Sequence, residues 1–205
     1  MDAVLFGKSL LLGLAIAAPL GPIGALCINR TLEHGFWAGM MGGVGTATAD
    51  AVYAALAALG FAAFAAVLGM IDTPLRLIGG LFMIWLGVAS LRPRAPVQAA
   101  RLDGRGLVGT VAATFALTIA NPATIISFAA IFAGLGLGTE SSGGSALAVT
   151  AGVFLGSLAW WLVLSGGVAI VRQRLPAGFA TWTSRLSGVV LIGFGLVAIG
   201  SLLLR

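Results

Sequence analysis

The hydrophobic positions of this chain fall in long unbroken blocks, not at the alternating or three-to-four-residue spacing of elements half buried in a soluble core. A helix crossing a bilayer needs about 20 consecutive apolar residues, and the blocks predict six such helices. The first apolar run goes from Val4 to Ile28 and meets a polar stop at Asn29-Arg30. Ala15, Ala17 and Ala18 mimic a signal-peptide cleavage site, but the run is too long for one and reads as an uncleaved helix. The second, Phe36 to Met70, holds a single charge, Asp50, and as one straight helix would be about 50 Å long, so it has to tilt or end early. Asp72-Thr73-Pro74 predicts a break before the third segment, Leu75 to Leu91, which stops at Arg92-Pro93-Arg94. The fourth spans Leu107 to Leu135 with Asn121-Pro122 inside it, and a Gly/Ser-rich connection from Gly136 to Ser145 follows. The fifth covers Leu147 to Val171. A last polar loop, Arg172 to Arg185, leads to the sixth, Leu186 to Leu204.

Composition agrees with the pattern. Of 205 residues, 60% are hydrophobic and 8% charged, and the mean hydropathy is +1.11. That is the balance of an all-α integral membrane protein, and six crossings leave no room for an extramembrane catalytic domain. The whole chain, 1–205, therefore reads as one transmembrane domain. The net charge of +5 would suggest nucleic acid in a soluble protein, but the basic residues sit at segment ends, where they report orientation instead. Arg30, Arg92, Arg94, Arg101, Arg105, Arg172, Arg174 and Arg185 fall on one face, against Lys8, Arg76 and Arg205 on the other. Because the excess stays in the cytoplasm, both termini are expected outside a multi-pass protein of the inner (plasma) membrane. One cysteine, Cys27, excludes an intrachain disulfide and a thiolate metal cluster. The sequence contains no Walker A motif and calls for no cofactor.

The two halves look like copies. Arg76-Leu77-Ile78-Gly79 returns 109 residues later as Arg185-Leu186-Ser187-Gly188, and the same offset carries Gly43-Val44 onto Gly152-Val153. Pro22 and Pro122 match at an offset of 100, the longer loop after the fourth segment absorbing the difference. Three helices per copy force opposite orientations, so the expected architecture is two inverted three-helix repeats, about 1–92 and 107–205, joined by a cytoplasmic loop at about 93–106. Carriers built this way bind near the midplane at the repeat interface.

Breaks inside membrane helices mark where such a site would lie. A proline removes a backbone hydrogen bond and frees a carbonyl, which in hydrocarbon must find protein, water or ligand. Pro19-Leu20-Gly21-Pro22, followed by Gly24, makes one break, and Asn121-Pro122 the corresponding one. Half-helix N-termini formed there carry partial positive charge and free N–H donors suited to a carboxylate. Asp50 is the one acid far from any segment end. An ionised carboxylate costs at least a few kcal/mol at the bilayer centre, so it should face protein or water. Counting along the helices puts it and Pro19 to Pro22 at depths that let them share one cavity. There it would take a substrate ammonium group or exchange a proton, or else hydrogen-bond to Thr46, Thr48 or Tyr53 as a structural group. Gly35, Gly39 and Gly43, like Gly152 and Gly156, give smooth faces for helix packing within a subunit, with a homodimer through the same faces as the alternative. Trp160, Trp161 and Tyr53 read as packing or interface residues, and His34 as a solvated loop residue. No paired acids or transmembrane histidine support a membrane-embedded enzyme.

Ala18-Pro19-Leu20-Gly21-Pro22, His34-Gly35 with Gly39, Gly43 with Asp50, Leu77-Ile78-Gly79-Gly80 with Trp85-Leu86-Gly87, and Asn121-Pro122-Ala123 together resemble the LysE (lysine exporter) or RhtB-type translocator family, over nearly the whole chain. The family commonly has Pro-Gly-Pro where this chain has Pro19-Leu20-Gly21-Pro22, and often a lysine where Ala123 stands. The resemblance implies export of amino acids or related amines, powered by the membrane gradient, and Asp50 resembles an acid that some members carry in the second helix and others lack. Moving a cation out of a negative interior calls for proton entry, and Asp50, protonated on one side and meeting substrate on the other, is the candidate for that exchange. Alternatives are a divalent-cation exporter, since distant relatives of this architecture move metal ions, and a structural membrane subunit. One buried acid is few oxygen ligands for a hard cation, and a structural subunit leaves the paired breaks unexplained.

Overall fold

The computed structural model describes residues 3–19, 21–91, 104–121, 124–125, 127–128, 143–172, 174 and 179–203, with backbone alone for 59–72, 75, 143, 144, 180 and 203. Its regular elements, among the described residues, are all α-helices: α1 Ala3–Ala17, α2 Pro22–His34, α3 Phe36–Leu91, α4 Gly104–Ile119, α5 Gly143–Arg172 and α6 Phe179–Leu203. The burial pattern is that of a bilayer protein. Ser9, Thr31, Thr46, Asp50, Thr110, Thr114, Thr118 and Ser157 are buried, while Leu11, Ile78, Trp85, Val108, Leu147, Ile170 and Val197 lie on the outside. Most of the buried hydroxyls are satisfied within their own helix: Ser9, Thr31, Thr46, Thr110, Thr114 and Thr118 each donate to the carbonyl four residues back. Their burial therefore leaves none of these six donors unpaired in a medium without water.

The first predicted segment is two helices. α1 and α2 meet at 79°, and α2 continues past the expected stop at Asn29-Arg30 to His34. The correction has a physical cause: Asn29 does not end at water but bonds through Nδ2 to Glu33 Oε1 at 3.3 Å and Ser184 Oγ at 3.4 Å. The second and third predicted segments are one continuous helical run, with Pro74 inside it in place of the expected break. The run nevertheless doubles back. Its first arm lies parallel to α4, with Gly42 against Thr110 and Thr114 and Tyr53 Oη donating to Ile119 O. Its second arm runs the other way, with Gly79 against Ala120 and Met83 and Leu86 clustered with Leu117. Straight helix from Tyr53 to Gly79 would span about 39 Å, yet both reach the end of α4. α6 begins at Phe179, so Arg185 stands exposed on the helix and not in the expected loop. The connection Gly136–Ser145, apart from the start of α5, lies outside the described residues, as do Arg92, Arg94 and Arg101.

The packing is paired. α1 and α5 run parallel, Gly13 on Val153, and Gly152 and Gly156 on the stretch Phe6 to Leu14. The second arm of α3 and α6 run antiparallel along a glycine seam. A Cβ on Gly80 would stand 3.0 Å from Gly195 O and one on Gly195 2.6 Å from Gly80 O; the reciprocal values for Gly87 and Gly188 are 2.7 and 2.8 Å. Gly39 packs on Thr31 and Ser165 and Gly43 on Trp161, so the glycine faces offered for a homodimer are covered by the chain itself. Ser145–Arg172 and Thr181–Leu202 are each long and apolar enough to cross a membrane, and α1 and α2 taken together, as a bent pair, meet the same length and composition.

Candidate transport site

The break between α1 and α2 is built by four residues. Ala18 N–H closes the last turn of α1 on Leu14 O at 3.0 Å, and Gly21 N–H donates to Pro19 O at 2.9 Å. Gly21 then caps α2, with Pro22 in the first helical position, where its missing N–H costs nothing. The Gly21 carbonyl accepts from Ala25 N–H at 3.1 Å. That leaves the amides of Ile23 and Gly24 without intrahelical acceptors. The second break repeats the geometry: α4 ends at Ile119, and the Asn121 carbonyl accepts from Ile125 N–H at 3.2 Å, as a cap residue does. Pro122 lies outside the described residues.

These breaks meet in one cavity of about 250 Å³. Pro19, Gly21, Pro22 and Gly24 line one side, Asn121 with Thr118, Thr124 and Ser127 another, and Thr46 with Asp50 a third; Ile16, Ala17, Ile23, Trp161 and Phe194 complete the wall. Every candidate read from the sequence and described in the structure is therefore at one place. The volume suits a molecule of a few heavy atoms, just below the range of drug-sized ligand pockets.

Asp50 is 1% exposed and lies against α5, where Ser157 Oγ donates to its Oδ2 at 2.8 Å. None of the three expected hydroxyl partners is its donor: Thr46 donates to Gly42 O, Thr48 to Val44 O and Tyr53 to Ile119 O. Among the described residues Asp50 has no ion pair. Trp161 packs on Gly43, as expected of a core residue, but it also walls the cavity, and its buried indole Nε1 has no hydrogen-bond partner among the described residues. Ser157, Phe194 and the hydroxyls of Thr118, Thr124 and Ser127 are cavity or carboxylate neighbours that the sequence does not single out. The 109-residue offset expected from the sequence would make Ser157 the counterpart of Thr48, two residues before Asp50, and is the one signal in the sequence that bears on it. His34 is the last residue of α2, its side chain 13% exposed and its Nε2 3.7 Å from Glu33 Oε2, so it is neither in a loop nor solvated as expected; it does not line the cavity.

A helical protein with its polar side chains inside, its large apolar ones outside and an acid-lined cavity between broken helices belongs to the class of membrane transporters. The particular family follows from comparison: the model of the LysE type translocator matches residues 14–201, and the chain belongs to that family. It is accordingly a transporter and not an enzyme. It is similar to the putative amino acid efflux protein YcgF of Bacillus subtilis, 26% identical over 93% of each chain. It is also similar to the threonine efflux protein of Escherichia coli, 27% identical over 77% of this chain and 79% of that one. A third relative is the chemotactic transduction protein ChpE of Pseudomonas aeruginosa, 28% identical over 97% and 98%. No solved structure matches.

Proposed function

We propose that this protein exports amino acids or related small amines across the inner membrane, exchanging them for protons by alternating access. The observation that carries the reading is the convergence of both helix breaks and Asp50 on one cavity. The amides of Ile23 and Gly24 at the start of α2 offer donors to a carboxylate, and Asp50 offers an acceptor to an ammonium group or a proton. The names of the efflux relatives point to the same substrate class.

Two inverted three-helix repeats, forming six crossings, are supported by the paired packing. α1 with α5 and α4 with the first arm of α3 are both parallel pairs, and the second arm of α3 meets α6 antiparallel through reciprocal glycines. An in-plane two-fold axis relating the halves requires that pattern. It also makes the matching caps at Gly21 and Asn121 two versions of one device, of the kind found at midplane sites.

Energetics sets the coupling. With a negative cell interior, moving one positive charge outward costs about 2.3 kcal/mol per 100 mV. One proton inward per cation is electrically neutral, whereas a zwitterion exchanged for one proton uses the potential as well. Asp50 carries the proton on one half-cycle and meets the substrate on the other. The test is transport in proteoliposomes by intact protein and Asp50→Asn, with labelled basic and neutral amino acids under an imposed proton gradient. Gradient-driven transport of one class, reduced roughly a hundredfold in the variant, is expected. Equal rates in the two proteins remove Asp50 from the mechanism, and no transport of any amino acid overturns the export reading.

A further inference from the structure

Asp50 and Ser157 come from different halves of the chain, α3 and α5, and meet at 2.8 Å with both side chains fully or almost fully buried. The Ser157 hydroxyl is the one side-chain donor to Asp50 among the described residues, and it occupies Oδ2 alone. Oδ1 is not among the buried polar atoms lacking a partner, and Asp50 lines the cavity. One oxygen is thus held by protein while the other meets open space. The hydroxyls of the neighbouring turns are all used on backbone carbonyls: Thr46 on Gly42 O, Thr48 on Val44 O, Tyr53 on Ile119 O. Ser157 departs from that pattern, since its hydroxyl reaches across to a carboxylate on another helix instead of back to a carbonyl of its own.

We propose that Ser157 is a positioning residue for Asp50: its hydroxyl pins one carboxyl oxygen to α5 and so presents the other to the ligand in the cavity. Hydrogen bonds to charged groups are the stronger ones, and a bond of this kind fixes the rotamer as well as the charge. Without it the carboxyl group turns freely between the cavity and the helix interface, and the ligand has to order it on binding. The bond also ties the substrate contact to the relative placement of α3 and α5. The kinetic part of the test rests on the export reading; the spectroscopic part does not.

Ser157→Ala removes one oxygen, and Ser157→Cys keeps the shape with a weak donor in place of a strong one. Ser157→Ala should raise KM about tenfold with the maximal rate within about twofold, and Ser157→Cys should fall between Ala and wild type. A packing role predicts the opposite order, because the thiol is larger than the hydroxyl it replaces. An unchanged KM in Ser157→Ala, or a larger defect in Ser157→Cys, overturns the proposal. Independently, the infrared carboxyl band that Asp50→Asn removes should shift in Ser157→Ala. An unshifted band overturns the positioning role even in a protein that transports. A shifted band in a protein that moves no amino acid supports the positioning role and strikes the export reading alone.

Discussion

Gly35 joins α2 to α3 with φ +91° and ψ −179°, a region of backbone space that side chains exclude and glycine alone occupies freely. Its N–H closes on Thr31 O at 2.9 Å and its carbonyl accepts from Ala38 N–H at 3.1 Å, so the turn is fixed from both sides. Gly35→Ala is therefore expected to cost about 1–3 kcal/mol, read as a lower midpoint of thermal unfolding in detergent. Sequence places Gly35 in a packing stripe and misses this backbone role, because a glycine after a helical run serves either purpose. Asp50 is legible for a simple reason: a lone acid deep in an apolar block has few explanations. Its partner is not, because Ser157 is one of many small hydroxyls and the pairing depends on the register between two distant helices, which no local pattern encodes.

At the scale of elements, the prolines divide by context. Pro22 follows a capping glycine and starts a new helix at 79° to the last, whereas Pro74 lies within continuing helix. Sequence predicts a break at both. The difference lies in the position of each proline: Pro22 is the first residue of its helix, where its missing N–H costs nothing, while Pro74 lies inside a run that is helical throughout although the chain reverses between Tyr53 and Gly79. Pro22→Ala restores a backbone donor and favours a straight helix through the cavity wall, so the initial rate of transport should fall roughly tenfold. Pro74→Ala should leave that rate within about twofold; equal losses in the two variants would show that the break itself has no part in transport. Segment ends are harder to read than segment centres. Asn29 and Arg185 both look like stops, yet Asn29 is 2% exposed and bonded to Glu33 of its own helix and Ser184 of α6.

For the whole molecule, orientation is the property that the arginine asymmetry predicts and the packing leaves open. Cys27 is buried and so silent to a membrane-impermeant thiol reagent. In intact cells Asp2→Cys is expected to be labelled from outside, and Arg105→Cys only after permeabilisation; the reverse result inverts the topology and moves the arginine-rich face outward. The repeat proposed above rests in the sequence on three short matches, and in the structure on contacts that the sequence displays only as scattered glycines. Along the seam of α3 and α6, Gly80 faces Gly195 and Gly87 faces Gly188 with main chain close to main chain, and the side chains of Ile84, Leu91, Ile192 and Ile199 lie against the same glycines. Interlocked side chains hold two helices in one register, since each must climb over its neighbour to move. Here the glycines supply hollows in which branched side chains of the facing helix sit, so the seam pairs close backbone approach with a defined register. By the export reading proposed above, the seam then travels as one rigid piece, and the motion between the two sides of the membrane falls elsewhere.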